Sequence, residues 1–150
     1  GEPVGDIHAR SSKLKGIEVP AERAASMIDE YPILSVAASC AQGRTYMPGI
    51  AELRVKETDR IAVMARGLKA CGVSVDEQPD SLTVDGQKQI TGGTTIASQH
   101  DHRIAMSFLV LGMVSQQTVS VMNTETIATS FPQFASLMNG AGANIYAPEV

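Results

Sequence analysis

The chain has 150 residues, 43% hydrophobic and 19% charged, enough for one compact domain with its own core. A net charge of −4 argues against nucleic acid or a membrane surface as the main partner. No apolar run is long enough to span a bilayer, and none reads as a signal peptide. Cys40 and Cys71 each fall on the apolar side of a predicted helix, as core thiols that fit a reducing cytoplasm. The opening Gly1-Glu2-Pro3-Val4 carries no initiator Met and enters strand-like sequence at once, so the chain is expected to be a piece of a longer protein.

In chain order, strands are predicted around Val4 to Arg10 and Leu14 to Val19. A helix starts near Asp29 to Tyr31, because Pro32 is tolerated only in a first turn. A strand at Thr45-Tyr46-Met47 leads to Arg54-Val55-Lys56-Glu57-Thr58-Asp59-Arg60 and a helix from Ile61 to Cys71, stopped by Gly72. Strands follow at Val73 to Glu77 and Ser81 to Val84, with a turn at Pro79-Asp80-Ser81. Asp85 to Thr95, rich in Gly, Gln and Thr, reads as an exposed irregular connection. His100-Asp101-His102-Arg103 opens the next helix, with Asp101 as its cap. A strand at Thr118 to Val121, a helix capped by Thr129 or Ser130, and a strand at Ala143-Asn144-Ile145 complete the chain.

The pattern repeats. Adding 70 carries Ile61, Met64, Leu68 and Gly72 onto Phe131, Phe134, Met138 and Gly142, and adding 72 carries Asp29 and Leu34 onto Asp101 and Met106. The expectation is a single α/β domain of about two strand-strand-helix-strand-helix units, near 2–72 and 73–142, plus a terminal strand.

Cations crowd two of the helix starts, where the helix dipole disfavours them. Such a start can hold an anion between backbone N–H groups and side chains. Lys56 and Arg60, four apart, are expected to share a helix face as an anion clamp, with Glu57 as proton donor or acceptor. An exposed helix end with a Glu–Arg pair is the plain alternative. Asp29 reads locally as an N-cap; if it also faces a pocket it could act as a general base. Arg103 suits a second anion ligand, and His102 a packing or orienting role. His100 and His102 alternate without a third ligand, so no metal is expected. No nucleophile elbow, P-loop or dinucleotide fingerprint is present, so no cofactor is implied.

The segments Arg54 to Arg60, Cys71-Gly72-Val73, Asp101 to Met106 and Thr129-Ser130-Phe131-Pro132 resemble, in order and spacing, the signatures of 5-enolpyruvylshikimate-3-phosphate synthases. Leu14 to Ile17 and Ser26 to Leu34 resemble the bacterial class II branch. The resemblance implies a fold of two similar lobes built from repeated strand and helix units, the inside-out α/β barrel of enolpyruvyl transferases. It places this chain in the C-terminal lobe, with the N-terminal lobe absent. It implies joining of phosphoenolpyruvate to shikimate 3-phosphate with release of phosphate, in aromatic amino acid biosynthesis.

Carried over by match, Asp29 would take the proton from the shikimate hydroxyl and Glu57 would handle the proton at the phosphoenolpyruvate methylene. Asp29 and Lys56 would bind shikimate 3-phosphate; Arg60 and Arg103 would bind phosphoenolpyruvate. The chain departs from many members at Thr129, where Lys is common, and at Glu52, where Asn is frequent. Enolpyruvyl transfer to a UDP-sugar and a non-catalytic anion-binding domain are the competing readings; Asp29 and Glu57 argue against the latter. Lys56, Arg60 and Arg103 are expected on one concave, electropositive face, and the chain alone is expected to be inactive.

Overall fold

The computed structural model describes residues 4–147. Glu2 and Pro3, where the first repeat was placed, lie outside them. The helices are α1 (Ala24–Met27), α2 (Tyr31–Ser39), α3 (Arg60–Ala70), α4 (His102–Gly112), α5 (Ile127–Ser130) and α6 (Phe134–Gly140). The strands are β1 (Arg44–Pro48), β2 (Ser74–Gln78), β3 (Ser81–Asp85), β4 (Ile90–Gly92), β5 (Thr95–Ala97), β6 (Ser115–Gln117) and β7 (Ser120–Met122). The architecture is mixed α/β, with helices α2, α3 and α4 packed on one another.

Helix α3 shows why the sequence folds this way. Asp59 caps it by accepting from the Ala62 N–H at 2.9 Å. Its stripe of Ile61, Met64, Ala65 and Leu68 is buried. Gly72, at φ +89°, turns the chain out of the helix in the left-handed region that glycine enters freely. The chain then forms the antiparallel sheet β1-β3-β2, in which Met47 and Glu77 both face Leu82 and Thr45 and Val75 both face Val84. Met47, Leu82 and Val84 are buried in the same core as the α3 stripe. Strand β5 pairs in parallel with β7 across the α4 crossover, and β4 pairs in parallel with β6.

Several expectations are corrected. Residues 4–10 form no strand, and Val4 and Ile7 are exposed, with no apolar face to hold a pairing edge. Leu14 to Val19 runs beside β1 through two isolated parallel bridges, Lys15 to Gln42 and Glu18 to Tyr46. The stretch Asp85 to Thr95 is not irregular throughout: Ile90 and Ile96 are buried and anchor β4 and β5. The strand expected at Thr118 to Val121 is β7, at Ser120–Met122, and a further strand, β6, precedes it at Ser115–Gln117. Thr129 and Ser130 lie inside α5 and cap nothing; α6 follows Gln133, which makes no side-chain cap bond. Ala143 to Ile145 form no strand, because the Asn139 side chain takes both the N–H and the C=O of Ile145 at 2.8 Å. Cys71 is buried as expected, but Cys40, at the end of α2, is exposed.

Candidate active site

The starts of α2, α3 and α4 converge on one guanidinium. Arg60 is the first residue of α3, and it is only 1% exposed. Its Nε donates to Asp101 Oδ2 at 2.7 Å, with a longer 3.5 Å bond from Nη2 to Oδ1. Its Nη1 donates to Asp29 Oδ1 at 2.8 Å and its Nη2 to Glu57 Oε2 at 2.6 Å. Burial alone would lower the pKa of Arg60, but the hydrogen bond and charge of Asp101, then Asp29 and Glu57, hold it above its ordinary value.

Asp29 lies in the 3-10 turn Ile28–Glu30 and caps no helix, contrary to the local reading. Glu30 precedes α2 instead, and the Asp29 carboxylate is drawn sideways to Arg60, a charge-assisted bond being stronger than a cap to a neutral N–H. Burial works to raise the pKa of Asp29, but the Arg60 hydrogen bond and the charges of Arg103, Arg60 and Lys56 bring it below its ordinary value. The side chains of Asp29 and Glu57 are 45% and 52% exposed, so each holds Arg60 with one oxygen and faces outward with the rest.

Arg103, in the first turn of α4, is one third exposed at the side chain. Its Nη1 donates to the Asp29 carbonyl and to Glu30 Oε1, both at 3.0 Å, and its Nη2 lies 3.7 Å from Asp29 Oδ2. Asp101 caps α4 as expected, accepting from the N–H groups of Arg103 at 2.9 Å and Ile104 at 3.2 Å. A cleft of about 230 Å³ opens beside this cluster, polar at Asp29, Glu30 and Arg103 and apolar at Met106, Phe131 and Phe134.

Two expectations about the cations fail. Lys56 shares no helix face with Arg60: Asp59 starts α3 at Arg60, which leaves Lys56 in extended backbone after the 3-10 turn Ala51–Val55. Its Nζ donates to Glu52 Oε1 at 2.7 Å. Nor is the face electropositive, because three cations, Lys56, Arg60 and Arg103, meet five carboxylates, Glu52, Asp29, Glu57, Asp101 and Glu30. Arg60 therefore presents no open fork to an anion here. Arg54, the third cation of its segment, binds the carbonyls of Pro79 and Gln78 and the carboxylates of Asp59 and Glu77, fastening the turn before α3 to the β2–β3 hairpin. Thr129 sits on α5, its hydroxyl donating to the Thr126 carbonyl.

Sequence reasoning read Asp101 only as a cap and passed over Glu30. No local signal marks either, since Asp101 and Arg60 are 41 residues apart and Arg103 and Glu30 are 73 apart. Among the described residues, no three His, Cys, Asp or Glu side chains are grouped to hold a metal, and no helix is long and apolar enough to cross a membrane.

A sequence model of EPSP synthase (3-phosphoshikimate 1-carboxyvinyltransferase) matches residues 1–138. A 3-phosphoshikimate 1-carboxyvinyltransferase from Paramagnetospirillum magneticum is 62% identical over 146 residues, covering 97% of this chain and 33% of that protein. One of the same name from Cereibacter sphaeroides is 60% identical over 147 residues, covering 98% and 33%. The chain thus spans about a third of the length of these relatives. The solved EPSP synthase from Acinetobacter baumannii superposes with a TM-score of 0.87 at 44% identity, over 91% of this chain and 32% of that one. The enolpyruvyl transferase NikO from Streptomyces tendae superposes with a TM-score of 0.74 at 22% identity, over 94% and 32%, a likeness of fold.

Proposed function

The chain belongs to the EPSP synthase family, and on that premise we propose that it supplies one wall of a site that transfers the enolpyruvyl group of phosphoenolpyruvate to shikimate 3-phosphate. The observation that carries this reading is the pair of half-exposed carboxylates, Asp29 and Glu57, held on one buried guanidinium. Addition of an alcohol across an enol double bond needs a base at the hydroxyl and an acid at the methylene. Asp29 accepts the hydroxyl proton as that oxygen attacks the phosphate-bearing carbon, and Glu57 delivers a proton to the methylene. Phosphate then leaves with the proton held by Asp29, and the new methyl group returns a proton to Glu57, giving the enol ether.

A carboxylate held below its ordinary pKa is ionised near neutral pH, as a proton acceptor must be, but it is a weak base. Closure by the rest of the protein would bury Asp29 further, and burial raises its pKa toward a useful value. Arg103, the more exposed of the two arginines, would meet the phosphoenolpyruvate carboxylate. Arg60 would reach it only by releasing Asp29 or Glu57. Lys56, which contributes to the field at Asp29, would meet the shikimate ligand on leaving Glu52. The N-terminal part of the full-length protein is the partner that completes the site. We place the reaction in the cytoplasm, a reading supported by the free thiols of Cys40 and Cys71.

The test is phosphate release from the two substrates by the full-length protein. Asp29→Ala and Glu57→Gln should each lower kcat by roughly 10²-fold or more. Arg103→Ala should act mainly through the KM for phosphoenolpyruvate. The 150-residue chain alone should release no phosphate. Near-normal kcat in Glu57→Gln would overturn the reading.

A further inference from the structure

We propose that Asp101 is a positioning residue for this reaction, acting through Arg60 to fix where Asp29 and Glu57 are held. The proposal rests on the functional reading above. Asp101 is 0% exposed and so cannot meet a substrate, yet its two oxygens accept from Arg60 and from two N–H groups of α4. The helix backbone sets the place of the carboxylate, and the carboxylate sets the Nε edge of the guanidinium. A guanidinium is planar, so fixing that edge fixes the directions of Nη1 and Nη2. Those are the atoms that hold Asp29 and Glu57.

A buried ion pair is a poor device for stability, because desolvation offsets most of its attraction. Its presence at a point where three elements meet is better explained by geometry. The approach to Asp101 supports this. Gln99 and His100 stand at φ 55° and 62°, two consecutive left-handed non-glycine residues. Side chains hold that bend in place: Thr58 donates to Gln99 Oε1 at 2.6 Å, and His100 pairs with Glu125 at 2.5 Å. The bend leads directly into the residue that grips Arg60. The other charged groups around the cluster, Lys56, Glu52, Glu30 and Arg103, pair with one another or with Asp29, and none touches the Nε edge of Arg60.

The test uses the full-length protein and a double-mutant cycle. Asp101→Asn keeps a cap acceptor but loses the charge and the second oxygen. Asp101→Ser keeps a cap hydroxyl and no fork, and serves where the Asn variant folds poorly. Either should lower kcat by about tenfold, since misplacement of reacting groups is costly, while each KM moves less than about threefold. In an Asp29→Ala/Glu57→Gln background the same substitution should cost much less than tenfold, because both groups it positions are already disabled. An equal fold-loss in both backgrounds, or an unchanged kcat per folded molecule, would reduce Asp101 to a helix cap and overturn the proposal. If Asp29→Ala and Glu57→Gln themselves leave kcat near normal, the functional reading fails first, and the cycle shows which of the two was wrong.

Discussion

The segments ending at Gly72 and Gly142 lie seventy residues apart and match in sequence pattern, yet among the described residues only the first holds a buried ion cluster. Both stop alike, with glycines at φ +89° and +101°. Their helix stripes diverge: Ile61, Met64 and Leu68 are all buried, whereas of their counterparts Phe134 is buried and Phe131 is exposed. Their starts diverge further. Asp59 caps α3, while its counterpart Thr129 turns its hydroxyl back to Thr126. Arg60 lies among three carboxylates, while its counterpart Ser130 is an exposed residue of α5. The two segments share the glycine stop but only part of the buried stripe. The charged contacts belong to the few residues at one start that reach across to the starts of α2 and α4.

Paired substitutions at equivalent positions would break that contrast if it is wrong. Arg60→Ala should cost about 3–5 kcal/mol, because it leaves the buried Asp101 charge without its partner. Ser130→Ala should stay within about 0.5 kcal/mol. Urea unfolding of each variant measures the difference, and equal losses would mean that the cluster is not what distinguishes the two segments. The next pair is Gly67 and its counterpart Leu137. A Cβ on Gly67 would stand 2.1 Å from Phe108 Cζ, and Phe108 is fully buried, so it has little room to yield. Gly67→Ala should therefore cost about 1–3 kcal/mol by overpacking, beyond the small gain in helix propensity. Leu137 is exposed, so Leu137→Ala should change stability by about 0.5 kcal/mol or less. Gly72→Ala and Gly142→Ala should each cost about 1–2 kcal/mol for the left-handed backbone. Gly72 should cost the more, since its Cβ would meet Thr91 Oγ1 at 2.9 Å while that of Gly142 meets nothing.

Much of the scaffold was legible because it is local. The stripe Ile61, Met64, Leu68 and the stop at Gly72 belong to α3 and its exit, and the cap at Asp101 sits directly before α4. The β2–β3 hairpin is marked by its turn and alternation. Short strands β4 and β5 were hidden because three residues rich in Gly and Thr carry little periodicity; their partners β6 and β7 supply the reason they are strands. The site residues Asp29, Glu57, Arg60 and Arg103 were found by motif and do come together. What they do to one another was not legible. Asp29 read as a cap because the alternative donor, the Arg60 fork, lies 31 residues away. The face read as electropositive because its cations sit in short motifs, while Glu30, Glu52 and Asp101 reach them from separate positions or looked like caps.

The smallest effect expected concerns pH, and it sharpens the same contrast. Asp29 titrates below its ordinary pKa in the folded chain: burial opposes the charge, but Arg60, Arg103 and Lys56 outweigh it. With a lowered folded pKa, the unfolded chain takes up the proton first as pH falls, so acid favours unfolding. The stabilisation is present above the unfolded carboxylate range, near about pH 4, and is lost as pH drops through the folded pKa. Its size is limited, because Asp29 is 45% exposed and solvent screens a pair of that kind. Urea midpoints measured from pH 6 down to about 3 should therefore fall slightly more steeply for the native chain than for Asp29→Asn. Thr129→Ala, at an exposed and uncharged position, should leave the slope unchanged. A slope in Asp29→Asn identical to that of the native chain would mean that Asp29 is not held in its charged form by Arg60 in solution.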